Sequence, residues 1–143
     1  MSEDPKLFPL CLVWTGGKNG ELSIDGKILI RTGPSNESGG AHFHSPEDLF
    51  VASAAVCYMN GFVYFAEKMH ISFKAFTCDA VGILEKVDRS YEITKIQMSA
   101  RVEIDSDSIR SKISRALELA AKYCFVGNSM KCPILHHTEI VIV

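Results

Sequence analysis

The chain has 143 residues, of which 47% are hydrophobic and 22% charged, proportions typical of a single soluble globular domain, here residues 1–143. The formal net charge of -2 and an isoelectric point near 6.2 give no reason to expect binding to nucleic acid or to an anionic membrane. The acidic start, residues 1–5, lacks the cationic and then apolar pattern of a signal peptide, so we expect a cytoplasmic protein.

The first third of the chain is predicted to form strands. Residues 7–14 indicate a strand and residues 15–20 a turn. Residues 21–24 and 27–32 flank Asp25-Gly26, a pair that favours a two-residue hairpin because both central residues need positive φ. Residues 32–44 form a long loop rich in Gly, Pro, Ser and Asn, and such loops in compact domains are often functional.

A helix with strong start signals follows this loop. Ser45 can cap the free amides, Pro46 suits the first helical position, and Glu47 and Asp48 favour the positive helix end. The helix is predicted to run to about residue 69, and it carries no charge from residue 49 to residue 66. That stretch is long enough to suggest a membrane-spanning helix. Its polar interruptions and its tight charged flanks instead favour a buried central helix of a soluble protein.

The second half of the chain predicts two long strands, a helix and a last strand. The long strands are residues 72–87 and 91–104, and the second alternates apolar and polar side chains as a half-buried antiparallel strand does. Residues 105–107 cap a helix over 108–123, and residues 139–143 form the last strand. The order β-β-β-α-β-β-α-β predicts an α+β fold, mostly antiparallel sheet with two main helices.

Five cysteines, an odd number, occur without a Cys-x-x-Cys spacing, so we expect reduced thiols that are structural, metal-binding or catalytic. Cys57 lies three turns inside the first helix, and Cys124 lies at the carboxyl end of the second. Free cysteine is usually a small buried hydrophobe, and spacing alone does not overturn that interpretation. Cys11 and Cys78 fall in strands and are expected in the core.

The histidines suggest zinc binding as an alternative function. His42-x-His44 and His136-His137 occur in a chain that also contains cysteines, and both residue types bind zinc. Adjacent residues on a strand point to opposite faces, so His136 and His137 are not expected to chelate one ion together. No bound metal or cofactor is therefore expected.

Three segments resemble the OsmC/Ohr family over nearly the whole chain. Residues 45–58, Ser-Pro-Glu-Asp-Leu-Phe-Val-Ala-Ser-Ala-Ala-Val-Cys-Tyr, are similar to its Pro-Glu-x-Leu-(Leu/Phe) motif, in which the reactive cysteine follows the proline by eleven residues, as here. Residues 124–129, Cys-Phe-Val-Gly-Asn-Ser, resemble the family's Cys-Pro-(Val/Tyr)-Ser-Asn segment, with Phe125 in place of proline. Residues 16–20, Gly-Gly-Lys-Asn-Gly, resemble the Gly-Gly-Arg-x-Gly turn of the Ohr branch.

The resemblance implies an OsmC-like fold, an intertwined homodimer and a thiol peroxidase that reduces organic hydroperoxides to alcohols. Cys57 would become a sulfenic acid and then form a disulfide with Cys124, which an external dithiol such as a dihydrolipoyl protein reduces. Phe50, Tyr58 and Phe62, near Cys57, would suit an apolar peroxide.

The two thiols are expected to differ in reactivity. Only a few per cent of a thiol with pKa ~8.5 is ionised at neutral pH. Cys57 is too far from its helix N-terminus to be ionised by the dipole, so it needs a cation from elsewhere in the fold. Cys124 at a negative helix end is expected to stay protonated, which still suits a resolving thiol.

Three charged residues are candidates for activating Cys57. In the family, a glutamate and an arginine hold each other beside the reactive cysteine, and Glu47 matches the glutamate. Glu47 and Cys57 lie about 15 Å apart along one helix, so a working site needs Glu47 from a second chain. Without the resemblance, Glu47 would be a carboxylate that stabilises the helix start. Lys18 stands where the arginine is expected and lacks its planar fork, and Arg31 is a second candidate.

Two alternatives stay open. Cys132-Pro133 offers a competing disulfide partner for Cys57 or Cys124, although we expect it to take no part. The missing arginine and Phe125 also allow a binding module of the same fold, without peroxidase activity, that holds a hydrophobic small molecule.

Overall fold

The computed structural model describes residues 4–35 and 42–143, and the chain divides into two compact units, Met1–Leu49 and Phe50–Val143. The element order confirms the predicted α+β class with two main helices and mainly antiparallel strands. A short helix after the second main helix has no counterpart in the predicted order.

The first unit contains a three-stranded antiparallel sheet in the order β1–β2–β3. The strands are β1 Cys11–Gly16, β2 Asn19–Ser23 and β3 Ile30–Thr32. The glycine-rich turn joins β1 to β2 because Gly16 and Gly17 have φ of 125° and 57°, values that residues with a side chain rarely adopt.

The Asp25-Gly26 turn forms, but not as the tight hairpin that the sequence predicts. The Lys27 amide donates a hydrogen bond to the Ile24 carbonyl at 3.0 Å, and only Gly26 of the central pair has positive φ, at 77°. A turn with positive φ only at its second central residue does not match the twist of two flanking strands. Pairing therefore resumes only at Ile30, later than predicted, and the first strand also begins later than predicted.

The two ends of the long loop predicted at 32–44 lie side by side. The Gly33 amide donates to the His44 carbonyl at 3.0 Å, and the His44 amide donates to the Arg31 carbonyl at 3.2 Å. Residues 36–41 lie outside the described residues. The hydrogen bonds hold the start of the first helix next to β3.

Helix α1, Pro46–Lys68, begins where the sequence predicts. The Ser45 amide donates to the Asp48 carboxylate, and the Asp48 amide donates to Ser45 Oγ, both at 3.0 Å. This reciprocal pair satisfies two backbone donors that a helix start otherwise leaves open. The capping prediction for Ser45 is thus confirmed.

The prediction that α1 is buried all round is wrong for the single chain. The buried positions recur every four residues, on one stripe: Ala54, Tyr58, Phe62 and Ala66. Val56, Met59 and Tyr64 are 52%, 39% and 51% exposed. By length and composition α1 could cross a membrane, and 22% of its most apolar window is buried inside the chain. Helix α1 therefore has more apolar surface than the second unit buries.

The second unit contains a three-stranded sheet in the order β4–β5–β6. Strands β4, Ala75–Val87, and β5, Ser90–Ile104, are antiparallel, whereas β6, Ile134–Ile142, runs parallel to β5. Parallel neighbours need a crossover, and α2, Arg110–Lys122, lies in that connection. The last strand begins before the predicted residue 139.

The core of the second unit lies between α1, α2 and the inner face of this sheet. The alternation predicted for β5 is confirmed, because its inward side chains are almost completely buried. They are Ile96, Met98, Ala100, Val102 and Ile104. Helix α1 approaches its neighbours closely at two glycines: a Cβ on Gly61 would lie 3.3 Å from the Ala120 Cβ, and one on Gly82 would lie 2.5 Å from Val51 Cγ2.

Candidate functional site

The second unit brings together the two cysteines that the sequence singles out. Cys57 lies in the middle of α1 and is half-buried, and Cys124 follows α2 and is 5% exposed. The Cys57 side chain interacts with the Cys124 thiol by hydrogen bonding and by charge. Both are free thiols in this structure. Two groups distant in the chain are therefore neighbours in the fold.

Cys124 lies just past the carboxyl end of α2, as the sequence predicts, but it also starts a further short helix that the sequence does not predict. Helix α2 ends at Lys122, and Cys124 has extended backbone, with φ -69° and ψ 109°, before a new helix, α3, Phe125–Asn128. The Gly127 amide donates a hydrogen bond to Cys124 Sγ at 3.3 Å. The thiol thus caps the start of α3.

Burial nevertheless raises the pKa of the Cys124 thiol, and Cys57 raises it further through its hydrogen bond and its charge. The backbone amides of Gly127 and Val126 lower the pKa but do not offset the burial. Cys124 is therefore protonated at neutral pH, as expected from the sequence, and burial is the largest cause.

Glu47 is held by a residue of the long loop. Its Oε1 accepts a hydrogen bond from Ser35 Oγ at 2.5 Å, and its side chain is half-buried. Asp48, rather than Glu47, satisfies the backbone at the helix start. A hydroxyl partner thus holds the Glu47 carboxylate in place, in addition to any interaction of this carboxylate with the helix dipole.

The two candidate cations, Lys18 and Arg31, both belong to the first unit and are exposed. Lys18 lies in the turn between β1 and β2. Arg31 lies on β3, with its guanidinium carbon 5.9 Å from the centre of the Phe43 ring, a cation–π contact. None of the hydrogen bonds among the described residues joins a cation to Cys57, so the activating group stays a prediction.

The other three cysteines have different environments. Cys132 is 9% exposed and belongs to the core of the second unit. Cys78 on β4 is half-buried, and burial raises the pKa of its thiol. Cys11 on β1 is exposed, so the prediction that it lies in the core is wrong.

The histidine pairs do not form a cluster with other metal ligands. Within residues 4–35 and 42–143, no three His, Cys, Asp or Glu side chains are placed to hold a metal ion. His136 and His137 lie on successive positions of β6 and so point to opposite faces. The His136 ring lies 4.6 Å from the Tyr58 ring, and burial lowers the pKa of this histidine.

The residues proposed to suit an apolar peroxide do not form one surface. Tyr58 and Phe62 are 1% and 0% exposed and pack in the core, whereas Phe50 is 36% exposed. Burial, with a smaller effect of Cys78, raises the pKa of Tyr58 to about 12, so its phenol is neutral. Tyr58 and Phe62 therefore offer no surface to a substrate in this chain, and that interpretation is wrong for them.

The sequence reasoning missed Gly127 as a site residue. Its amide donates a hydrogen bond to Cys124 Sγ, and a Cβ at this position would lie 3.3 Å from that sulfur and 3.0 Å from Ile134 Cδ1. A cysteine that follows a helix and precedes a glycine by three residues is a signal for such a capping turn, because a side chain at the start of a helix accepts from the third amide.

Comparisons with known proteins agree with this architecture. A sequence model of the family described as OsmC-like protein matches residues 39–139, which is more than half of the chain. A search of the curated proteins found no sequence match. An OsmC-like protein of unknown function from Vibrio cholerae O1 biovar eltor has a TM-score of 0.82 at 21% identity, with 94% of this chain and 99% of that chain covered.

Organic hydroperoxide resistance proteins from two bacteria have similar structures. The one from Elizabethkingia anophelis has a TM-score of 0.71 at 19% identity, with 96% of this chain and 99% of that chain covered. The one from Bacillus subtilis has a TM-score of 0.68 at 20% identity, with 94% and 99% covered. At these identities the likeness concerns the fold.

Proposed function

The chain belongs to the OsmC-like family, and from this premise we propose that it is a thiol-dependent peroxidase that reduces organic hydroperoxides to alcohols. The observation that carries the proposal is the contact between the Cys57 and Cys124 thiols. A peroxidase of this type needs one sulfur that attacks the peroxide and a second sulfur within reach of the first.

The proposed reaction has three steps. The Cys57 thiolate attacks the terminal oxygen of ROOH, the O–O bond breaks, and the alcohol leaves after it takes up a proton, so that Cys57 becomes a sulfenic acid. Cys124 then attacks the Cys57 sulfur, a disulfide forms, and water leaves. An external dithiol, such as a dihydrolipoyl group, reduces the disulfide and becomes a disulfide itself.

Burial and charge favour this division of roles. Cys57 is the more exposed of the two sulfurs, which suits a nucleophile that must meet a substrate. Cys124 is buried and has a raised pKa, so it is a weak nucleophile until Cys57 becomes an electrophilic sulfenic acid.

We also propose that the active form is a cytoplasmic homodimer. Large apolar side chains are exposed on α1 and in the first unit, among them Val56, Tyr64 and Trp14, and such side chains mark protein interfaces. A second copy that covers them would supply Glu47, together with Lys18 or Arg31, to Cys57. The cation would stabilise the Cys57 thiolate, and Glu47 would orient the cation.

The peroxidase step is tested on the reduced protein with one equivalent of cumene hydroperoxide. We expect the intact mass to fall by two hydrogens, with peptide mapping that locates a Cys57–Cys124 link. Cys57→Ser should abolish peroxide consumption and Cys124→Ser should stop at the sulfenic acid, which dimedone labels. Cys11→Ser, at an exposed cysteine of the first unit, is the matched control and should behave as the native protein.

The dimeric site is tested by mixing two inactive variants. Cys57→Ser and Glu47→Ala chains, unfolded and refolded together, form hybrid dimers that have one intact site if Glu47 acts on the Cys57 of the other chain. We expect activity to return on mixing. If Glu47 acts within its own chain, each hybrid site retains one defect and the mixture stays inactive.

A second candidate function is a binding module of the same fold without peroxidase activity, for a hydrophobic small molecule. The observation that favours it is that no hydrogen bond among the described residues links a cation to Cys57. If peroxide leaves Cys57 unmodified while the fold and the dimer are intact, this function becomes the better account.

A further inference from the structure

The sulfurs of the proposed disulfide differ in their access to a reductant. Cys124 is 5% exposed, whereas Cys57 is half-buried on α1. Thiol–disulfide exchange proceeds by attack of a thiolate on one of the two sulfurs, and the rate depends on access to that sulfur. An external thiolate therefore reaches the Cys57 sulfur more readily than the Cys124 sulfur.

The sulfurs also differ in the donors that surround them. The Gly127 amide already points at Cys124 Sγ at 3.3 Å in the reduced protein, and the Val126 amide also interacts with this thiol. Attack at Cys57 places the developing negative charge on Cys124, where these amides are oriented before the bond breaks. Burial raises the pKa of Cys124 overall, which by itself slows its departure, and the fixed amide donors reduce this penalty where the charge develops. The easier access to Cys57 therefore decides the direction of attack.

We propose that the external dithiol attacks the Cys57 sulfur, and that Cys124 leaves as a thiolate stabilised by the Gly127 amide. The inference rests on the proposed peroxidase cycle and deepens it. The first thiolate of the reductant forms a bond to Cys57 Sγ, the Cys57–Cys124 bond breaks, and its electron pair goes to Cys124 Sγ, which then takes up a proton. The second thiol of the reductant displaces Cys57 and leaves the reductant as a cyclic disulfide. Gly127 is thus a functional residue that stabilises the leaving Cys124 thiolate.

The direction of attack is tested by trapping. The disulfide is first formed with diamide, which does not require peroxidase activity, and the diamide is removed. The protein is then treated briefly with the monothiol N-acetylcysteine, and excess N-ethylmaleimide is added afterwards to stop the exchange. Trypsin places each of the five cysteines on a separate peptide, since a lysine or arginine separates every neighbouring pair. We expect N-acetylcysteine on Cys57 and maleimide on Cys124. The opposite labels, or equal amounts of both, would overturn the proposal.

The role of the amide is tested with two variants at Gly127. Gly127→Ala and Gly127→Pro add a similar Cβ beside Cys124 Sγ and Ile134, but only proline removes the N–H donor. We expect the monothiol to open the disulfide of the proline variant at least about threefold more slowly than that of the alanine variant, because a less stabilised thiolate leaves more slowly. Equal rates would refute the role of the amide.

A second readout separates this role from a structural one. In a Cys57→Ala background, the pH dependence of iodoacetamide labelling reports the pKa of Cys124. We expect this pKa to be higher in the proline variant than in the alanine variant, and equal values in two variants with native circular dichroism contradict the proposal. A native chain that forms the disulfide with diamide but not with peroxide would refute the peroxidase function alone. Reversed trapping in a chain that responds to peroxide would refute only the present inference.

Discussion

Gly82 lies on β4 where α1 approaches the sheet, and a methyl group at this position should destabilise the second unit. A Cβ there would lie 2.5 Å from Val51 Cγ2, whereas non-bonded carbons prefer about 3.5–4.0 Å. The overlap is thus about 1 Å or more. Val51 cannot easily turn its methyl away, because valine in a helix strongly prefers one rotamer. In Gly82→Ala, the helix or the strand therefore has to move.

The expected cost follows from the size of this overlap. Extra methyl groups in a well-packed site typically cost about 1–3 kcal/mol, and we expect Gly82→Ala to lower the free energy of unfolding by that amount. For a chain of this size, each kcal/mol corresponds to about 3–4 °C in Tm, so the midpoint should fall by about 3–12 °C. Because α1 carries Cys57, the same displacement should also slow the formation of the Cys57–Cys124 disulfide.

Urea and thermal unfolding of four proteins decide whether the clash is the cause. These are the native chain, Gly82→Ala, Val51→Ala and the double variant. If the clash is the cause, the double variant is at least about 1 kcal/mol more stable than the sum of the single effects predicts. Val81→Ala, at the neighbouring exposed position, is the control and should change stability by less than about 0.5 kcal/mol. A Gly82→Ala chain as stable as the native one, or strictly additive effects, would refute the reasoning.

Three further predictions concern the capping residue, the histidine that packs against Tyr58 and the turn after Cys124. Ser45→Ala should lower stability by about 1 kcal/mol because the Asp48 amide loses its acceptor, and Ser45→Asp should retain most of it in the same thermal unfolding assay. Burial lowers the pKa of His136 from 6.5, so the unfolded chain binds the proton more tightly and stability should fall as the pH drops through 6.5 towards the folded pKa. His136→Asn should flatten that part of the urea unfolding profile, and an unchanged profile would contradict the assignment. Phe125→Pro should raise the free energy of unfolding by about 0.4–1 kcal/mol and still allow the Cys57–Cys124 disulfide to form. The first helical position needs no N–H, and the preceding residue already has the extended backbone that proline requires. Failure to form the disulfide would contradict this prediction.

The sequence predicts the elements whose signals are local. The start of α1 depends on Ser45 and its near neighbours, and the alternation of β5 depends on side chains two residues apart, so both are confirmed. The start of β6 was missed because His136-His137-Thr138 interrupts the apolar pattern with polar residues. One of these, His136, packs its ring against Tyr58 from α1, a contact that no local pattern reveals.

The candidate site could be predicted only in part, for the same reason. Cys57 and Cys124 were singled out through the resemblance, and their contact depends on how α1 and α2 pack, which spacing along the chain does not determine. The position of Cys124 at the end of α2 follows from the sequence, but α3 does not, because four residues carry no helical periodicity. Exposure of α1 could not be foreseen either, since a helix that is apolar all round does not reveal which neighbour covers it.

The parallel pairing of β6 with β5 has a consequence for biosynthesis. A growing chain can close the β4–β5 hairpin as soon as both strands have emerged, but one edge of β5 has to wait until α2 has led the chain back and residues 134–142 have followed. During that interval the open edge can pair with strands of other nascent chains. Slow synthesis between residues 104 and 134 would therefore favour aggregation on the ribosome, whereas rapid synthesis would protect this edge.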